Sequence, residues 1–249
     1  MQKMICGLMV CCFGVAAAPV TAADESTVLI EKAIKASGGR KALEKYKAAI
    51  SKASGTINLM GMSIKYSGTF YVLPPNKFHV VMEITVMGQN ITITQVVNGD
   101  KAWIKINNLA TMEMTKIQLE IVRQQMAVDY ASSLLPLLDK KKYTLSNVGE
   151  ITVGESKAMG INVTAKGGLD VNLYFDKKTH MLVKQQFQTK DETGKEVNQE
   201  AYFSSYKKFK GLAYPTKVRV DRDGKKFLTS EISEIQLKET IPDSIFTKP

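Results

Sequence analysis

Cysteine is nearly missing from this 249-residue chain: Cys6, Cys11 and Cys12 are the only three, all close to the N-terminus. Beyond that point the chain can form neither disulfides nor thiolate metal sites. Histidine is almost as scarce, with His79 and His180 far apart and in no paired-ligand spacing such as H-E-x-x-H. Each reads as an ordinary surface residue, His79 on the polar face of a strand and His180 in a turn. No glycine-rich phosphate loop occurs, and Asp221-Arg222-Asp223-Gly224 lacks the third ligand and closing glutamate of a calcium loop, so it reads as a hairpin turn. Serines and carboxylates are plentiful, but none is spaced as a nucleophile with its base, which argues against an enzyme and against any cofactor or metal. If the chain were a hydrolase, Asp170 or Asp176 would be the carboxylate to test. After the N-terminal region no run is long and apolar enough to span a bilayer.

What is present begins with Met1-Gln2-Lys3, an uncharged apolar run from Met4 to Ala18, and small residues through Ala22-Ala23 before Asp24-Glu25. That order predicts a secretory signal peptide over 1–23 and a mature domain over 24–249, placed in the periplasm. The cysteines fall inside the predicted leader. The net charge of +10 drops only to +9 without Lys3. The lysines are scattered through turns as Lys140-Lys141-Lys142, Lys177-Lys178, Lys207-Lys208 and Lys225-Lys226. They form no arginine-rich stripe, so they read as solvated turn residues and no nucleic-acid partner is expected. No linker or low-complexity stretch divides the mature chain, and one monomeric domain is expected.

Helical periodicity at Val28, Ile30, Ala33 and Ile34 ends at Gly38-Gly39, and a second short helix holds Leu43 and Tyr46. From Ala49 the period becomes two, the mark of an antiparallel meander. Phe78, Val80, Met82, Ile84 and Val86 share one strand face. Met87-Gly88-Gln89-Asn90 turns the chain into Ile91 and Ile93, and Asn98-Gly99 is a strong hairpin signal. Thr115 with Gln118 reads as a capping box opening a helix toward Asp139, kinked or ended by Pro136. Strands then resume, with Leu169, Val171, Leu173 and Phe175 alternating against polar neighbours. The expected fold class is mainly β (α+β), about ten to twelve antiparallel strands covered by a few helices. So few helices cannot fill the apolar face of so large a sheet, which predicts a cavity for a hydrophobic ligand. Nine methionines follow the leader, among them Met82 and Met126; they are core filler or ligand lining.

Three stretches resemble one known family. Asn98-Gly99-Asp100-Lys101-Ala102-Trp103-Ile104 looks like its hairpin followed by a strand tryptophan. Leu134-Leu135-Pro136-Leu137-Leu138 stands where the family places helices over the mouth of a half-barrel. Ile241-Pro242-Asp243-Ser244-Ile245-Phe246 resembles its closing segment, and Tyr214-Pro215-Thr216-Lys217 a strand of the broader group. The chain thus resembles the periplasmic lipoprotein-carrier and lipoprotein-sorting proteins of the LolA/LolB kind. The resemblance implies an incomplete antiparallel β-barrel capped by helices, which carries acyl chains of lipids or lipoproteins toward the outer membrane, uses no cofactor, and meets an envelope membrane protein transiently. The alternative is a non-catalytic interaction module with a filled core. The family's lid arginine has no counterpart between Arg40 and Arg123. Expected cavity residues are Phe70, Val80, Met82, Ile84, Ile91, Ile93, Trp103, Met126, Leu134, Leu173, Phe175 and Phe187. Trp103 sits in phase with Lys101 and Lys105, so its strand is bulged or it packs outside the cavity.

Overall fold

The structure is a computed structural model, and it describes residues 22–59 and 61–249. The expected signal peptide falls almost wholly outside the described residues, as does Met60. Two helices come first, α1 (Ala22–Ala36) and α2 (Arg40–Lys45), separated by Gly38 and Gly39, both at positive φ. Six strands follow: β1 (Ala48–Leu59), β2 (Met62–Leu73), β3 (Lys77–Val86), β4 (Gln89–Asn98), β5 (Lys101–Ile106) and the short β6 (Met112–Glu113). Helix α3 (Lys116–Ser132) starts on the expected capping box, with the Thr115 hydroxyl accepting from the Gln118 amide and the Gln118 side chain accepting from the Thr115 amide. The helix ends earlier than the sequence suggests. Leu134 turns to φ 75°, and Pro136 opens a separate 3-10 turn over Leu135–Leu138. Seven strands complete the chain: β7 (Tyr143–Val153), β8 (Ser156–Ala165), β9 (Leu169–Asp176), β10 (Leu182–Lys190), β11 (Glu196–Phe209), β12 (Leu212–Arg222) and β13 (Lys225–Lys238), with a last 3-10 turn at Asp243–Phe246.

All thirteen strands form one sheet in the order β6-β5-β4-β3-β2-β1-β13-β12-β11-β10-β9-β8-β7, every pair antiparallel. The two meanders are joined by pairing of β1 with β13, and the sheet stays open between β6 and β7, which α3 connects in sequence. Because cross-strand partners share a face, the register can be followed around the sheet. Phe187 faces Gln199, Ala201 faces Val220, Val220 faces Leu228, Leu228 faces Ile57, and Ile57 faces Ile64. The face carrying Val171, Leu173, Phe175 and Phe187 is therefore the face carrying Phe70, Val80, Met82 and Ile84.

The two halves of the sheet are covered by different segments. On β7 to β10 the inner face is buried under α1, α3 and the first 3-10 turn. Ile30, Ala33, Ile34, Val128, Ala131, Leu134 and Leu137 pack there on Ile161, Val163, Val171, Leu173, Phe175 and Phe187. The outer face of that half is polar, with Asn162 donating to Asp170 and Asn172, and Lys184 pairing with Glu200 at 2.7 Å. On β1 to β5 part of the outer face is covered by the C-terminal segment. Ile241, Ile245 and Phe246 pack against Ala48, Ile50, Tyr71, Leu73, Val96 and Trp103. His79, expected at the surface, instead stacks on Tyr71 at 5.2 Å in this layer, where loss of hydration holds its pKa below the usual imidazole range.

Phe246 is fully buried, and its removal leaves a void against the sole tryptophan of the chain. Phe246→Ala is expected to cost about 3–5 kcal/mol and to red-shift Trp103 emission in the folded protein. Unchanged emission in a variant that still folds would show that the segment does not pack there.

Candidate functional site

The inner face of β2 to β4 is where the fold leaves apolar side chains without a cover. Register brings Tyr66, Ile84 and Ile91 into one row, Gly68, Met82 and Ile93 into the next, and Phe70, Val80 and Gln95 into a third. Val80 is buried, while Phe70, Met82, Ile84, Ile91 and Ile93 are only half-buried. Ile57, Phe203, Val218, Val220, Leu228 and Ile232, also half-buried, continue this floor across the central strands. Apolar side chains at this exposure on a concave face retain transferable surface, roughly 25 cal/mol for each Å² that a ligand would remove from water.

The other expected cavity residues fall elsewhere. Leu134, Leu173, Phe175 and Phe187 lie on the same side of the sheet but form the closed core beneath the helices, each at most 4 % exposed, and no ligand reaches them there. Met126 lines a recess of about 430 Å³ between α3 and the β2–β3 and β4–β5 turns, together with Val97, Tyr130 and Tyr143. A second recess of about 770 Å³ runs from the start of α3 to Leu169 and Thr189. Trp103 is a correction. Its strand pairs regularly with β4, so strict alternation holds and the ring packs on the outer face with Val96 and Phe246. Asp170 and Asp176 have structural partners: the first accepts from Asn162, and the second accepts from Thr179 and the Lys178 amide in the turn after β9. Among the described residues no three histidines, cysteines or carboxylates stand together as a metal site.

Sequence reasoning passed over a polar band between α3 and the sheet. The Arg222 guanidinium donates to Gln199 Oε1 at 3.0 Å, Gln199 Nε2 donates to Gln125 Oε1 at 2.9 Å, and Gln125 Nε2 donates to Asp129 Oδ1 at 2.9 Å. Beside them, Gln185 donates to the Ser132 hydroxyl at 2.7 Å and Gln124 bridges to Thr189. The available signal was Gln125 and Asp129 one turn apart on a helix whose neighbours are apolar, and Gln185 and Gln199 at inward strand positions. Asp129 is an exposed residue of α3 whose carboxyl is approached by the Gln125 and Gln185 side chains. Loss of bulk hydration pushes its carboxyl up to about 6, against the pull of the Gln125 and Gln185 amides. At its rim α3 is held by exposed ion pairs only, Arg123 to Asp100 at 2.9 Å and Lys190 to Glu120 at 2.8 Å, pairs worth under about 1 kcal/mol each.

By sequence the chain matches no family model and no curated protein. By shape it matches solved structures. A LolA superfamily protein from Nitrosomonas europaea superposes with a TM-score of 0.59 at 12 % identity, over 90 % of this chain and 97 % of that one. The fold is of the LolA type. A domain from Vibrio parahaemolyticus named for outer membrane lipoprotein sorting gives 0.56 at 10 % identity, over 91 % of this chain and 97 % of that one. A DUF1329 family protein from Desulfovibrio piger gives 0.53 at 16 % identity, covering 89 % and 97 %. Identities this low establish the architecture alone. The incomplete antiparallel barrel with a few helices implied by the resemblance is the architecture observed, with thirteen strands where about ten to twelve were expected.

A carboxyl whose folded-state pKa is raised is penalised when ionised, so stability rises as pH falls through about 6 toward the unfolded value near 4. Asp129→Asn is expected to raise the unfolding temperature at pH 7.5 and to flatten this gain between pH 7 and pH 5. An identical pH profile in the two proteins, measured by thermal melts, would place Asp129 in ordinary solvent.

Proposed function

We propose that this chain is a periplasmic carrier that binds acyl chains of lipids or lipoproteins on the open inner face of its half-barrel and moves them toward the outer membrane. The observation that carries the reading is the half-buried apolar floor formed by Phe70, Met82, Ile84, Ile91 and Ile93, whereas Val163, Val171, Leu173, Phe175 and Phe187 on the same face of β8 to β10 are buried under helices. A scaffold with a filled core would close that floor. Binding needs no covalent chemistry and no cofactor, since each acyl methylene moved from water to the floor contributes about 0.8 kcal/mol. Release requires the cover over the floor to move or a partner to offer the acyl chain a drier site. The hairpin tips at one end of the first meander expose Met62, Met87, Leu109 and Met112, at 45, 93, 63 and 50 %, apolar tips suited to touching a membrane during transfer. The LolA-type fold, shared with a domain named for lipoprotein sorting, supports the cargo class.

Displacement of a fluorescent fatty acid by saturated fatty acids of increasing length tests the reading. Affinity should rise about four-fold per methylene until the floor is filled, and Met82→Glu should abolish binding while Glu83→Gln, on the outer face, leaves it unchanged. Trp103 emission should stay constant through the titration, because the ring lies on the other side of the sheet. Affinity independent of chain length would sink the proposal and favour an interaction module.

A further inference from the structure

The recess of about 430 Å³ beside α3 is rich in hydrogen-bond donors. Arg123, Asn76, Tyr130 and Tyr143 line it together with Met126 and Val97. The Arg123 guanidinium spends only Nη2 on the protein, donating to the Gly99 carbonyl at 3.2 Å and to Asp100 Oδ1 at 2.9 Å. Its Nε and Nη1 groups find no acceptor among the described residues. Gly99 in turn donates its amide to the Asn76 carbonyl at 2.9 Å, so the β2–β3 and β4–β5 turns are tied together where Arg123 docks. The Asn76 side-chain amide and the two phenol hydroxyls have no hydrogen-bond partner among the described residues. Burial, with Tyr130 and Asp139 nearby, holds the Tyr143 phenol above its usual pKa, so it stays protonated and able to donate at neutral pH. Among the described residues the one carboxylate lining the recess is Asp100, whose side chain is fully exposed, so its hold on Arg123 is weak.

From this geometry we infer that the recess is a subsite for an anionic headgroup, a carboxylate or phosphate, on an amphiphile whose alkyl chain runs from it onto the apolar floor. Arg123 supplies the charge, and Asn76, Tyr130 and Tyr143 supply neutral donors. The inference rests on the carrier reading and deepens it by naming the polar end of the ligand. Recess and floor belong to one face of the sheet. Val97 follows Ile91, Ile93 and Gln95 along the inward side of β4, and Phe78 faces it across the ladder. Ile93 is four residues from Val97, about 14 Å along the strand, a distance that an extended dodecyl chain spans. An oxyanion accepts several hydrogen bonds at once, and those in which one partner is charged are the strong ones. An ammonium placed in the recess would meet the guanidinium instead. The net charge of +10 also favours an anion anywhere on the surface, so the local site has to be separated from the general field.

The experiment is displacement of the uncharged probe N-phenyl-1-naphthylamine by laurate and by dodecanol, at pH 7.5 and physiological salt, on the wild type and three variants. The two ligands match in chain length and differ in headgroup charge, and the ratio of their affinities cancels any loss of folded protein. Arg123→Gln should lower the laurate-to-dodecanol ratio at least ten-fold, and Tyr143→Phe, which keeps the ring, about three-fold. Lys116→Gln removes the same charge from an exposed residue of the same helix outside the recess, and should leave the ratio unchanged. Millimolar inorganic phosphate separates a headgroup from a free anion. Laurate affinity that does not respond to it supports the headgroup, whereas phosphate that weakens laurate and not dodecanol assigns the recess to the free anion and overturns the inference. An unchanged ratio in Arg123→Gln, or an equal fall in Lys116→Gln, also overturns the subsite and leaves the carrier reading standing. If neither laurate nor dodecanol displaces the probe, the carrier reading falls and takes the subsite with it.

Discussion

The pairing of the first strand with the last holds this molecule together. β1 and β13 lie almost two hundred residues apart in sequence, yet their ladder runs from Ala48 opposite Lys238 to Ile57 opposite Leu228. Side chains at the crossing are matched to closeness. The hydroxyls of Thr56 and Thr229 share a hydrogen bond at 2.8 Å, and a β-carbon on Gly55 would lie 1.8 Å from the Thr229 carbonyl oxygen. A glycine is required where two backbones come so near. A register irregularity between Lys52 and Ala53 adds the local bend that curls the joined sheet. Without this seam there would be two separate meanders, each with an apolar face and no common concavity.

From the seam follows the division of labour between the two halves. Helices α1 and α3, with the first 3-10 turn, bury the apolar face of β8 to β10. The C-terminal segment covers the first half from outside. On the inner face of the first half Ile64, Tyr66, Val80 and Val97 are buried, while Phe70, Met82, Ile84, Ile91 and Ile93 remain as a row of half-buried apolar side chains. Natural proteins rarely leave such a surface without a use, because it is an aggregation liability. The Gln125, Asp129 and Gln185 band sits at the border between the closed and open halves.

Much of this was legible in the sequence because the relevant signals are local. Alternation gave the strands, Thr115 and Gln118 gave the start of α3, and turn residues at Met87-Gly88 and Asp223-Gly224 gave the hairpins, both residues of each pair at positive φ. The inward set Phe70, Val80, Met82, Ile84, Ile91 and Ile93 was readable because period-two patterning does not depend on what covers the face. Coverage itself is a long-range property. Alternation cannot say that Phe175 and Phe187 lie under helices while Met82 does not, nor that the C-terminal segment would fold onto Val96 and Trp103 and enclose His79. The glutamine chain was missed for a related reason: four separate elements contribute to it, and each polar residue alone looks like a solvated one.

Mass spectrometry under native conditions tests the central claim most directly, on the protein purified from its source cells without detergent and followed by lipid extraction. An open apolar floor that holds acyl chains predicts a population heavier than the polypeptide by the mass of one lipid or acylated species, recoverable in organic solvent. A single mass equal to the bare chain, with no extractable lipid and no uptake of added fatty acid, would contradict the account.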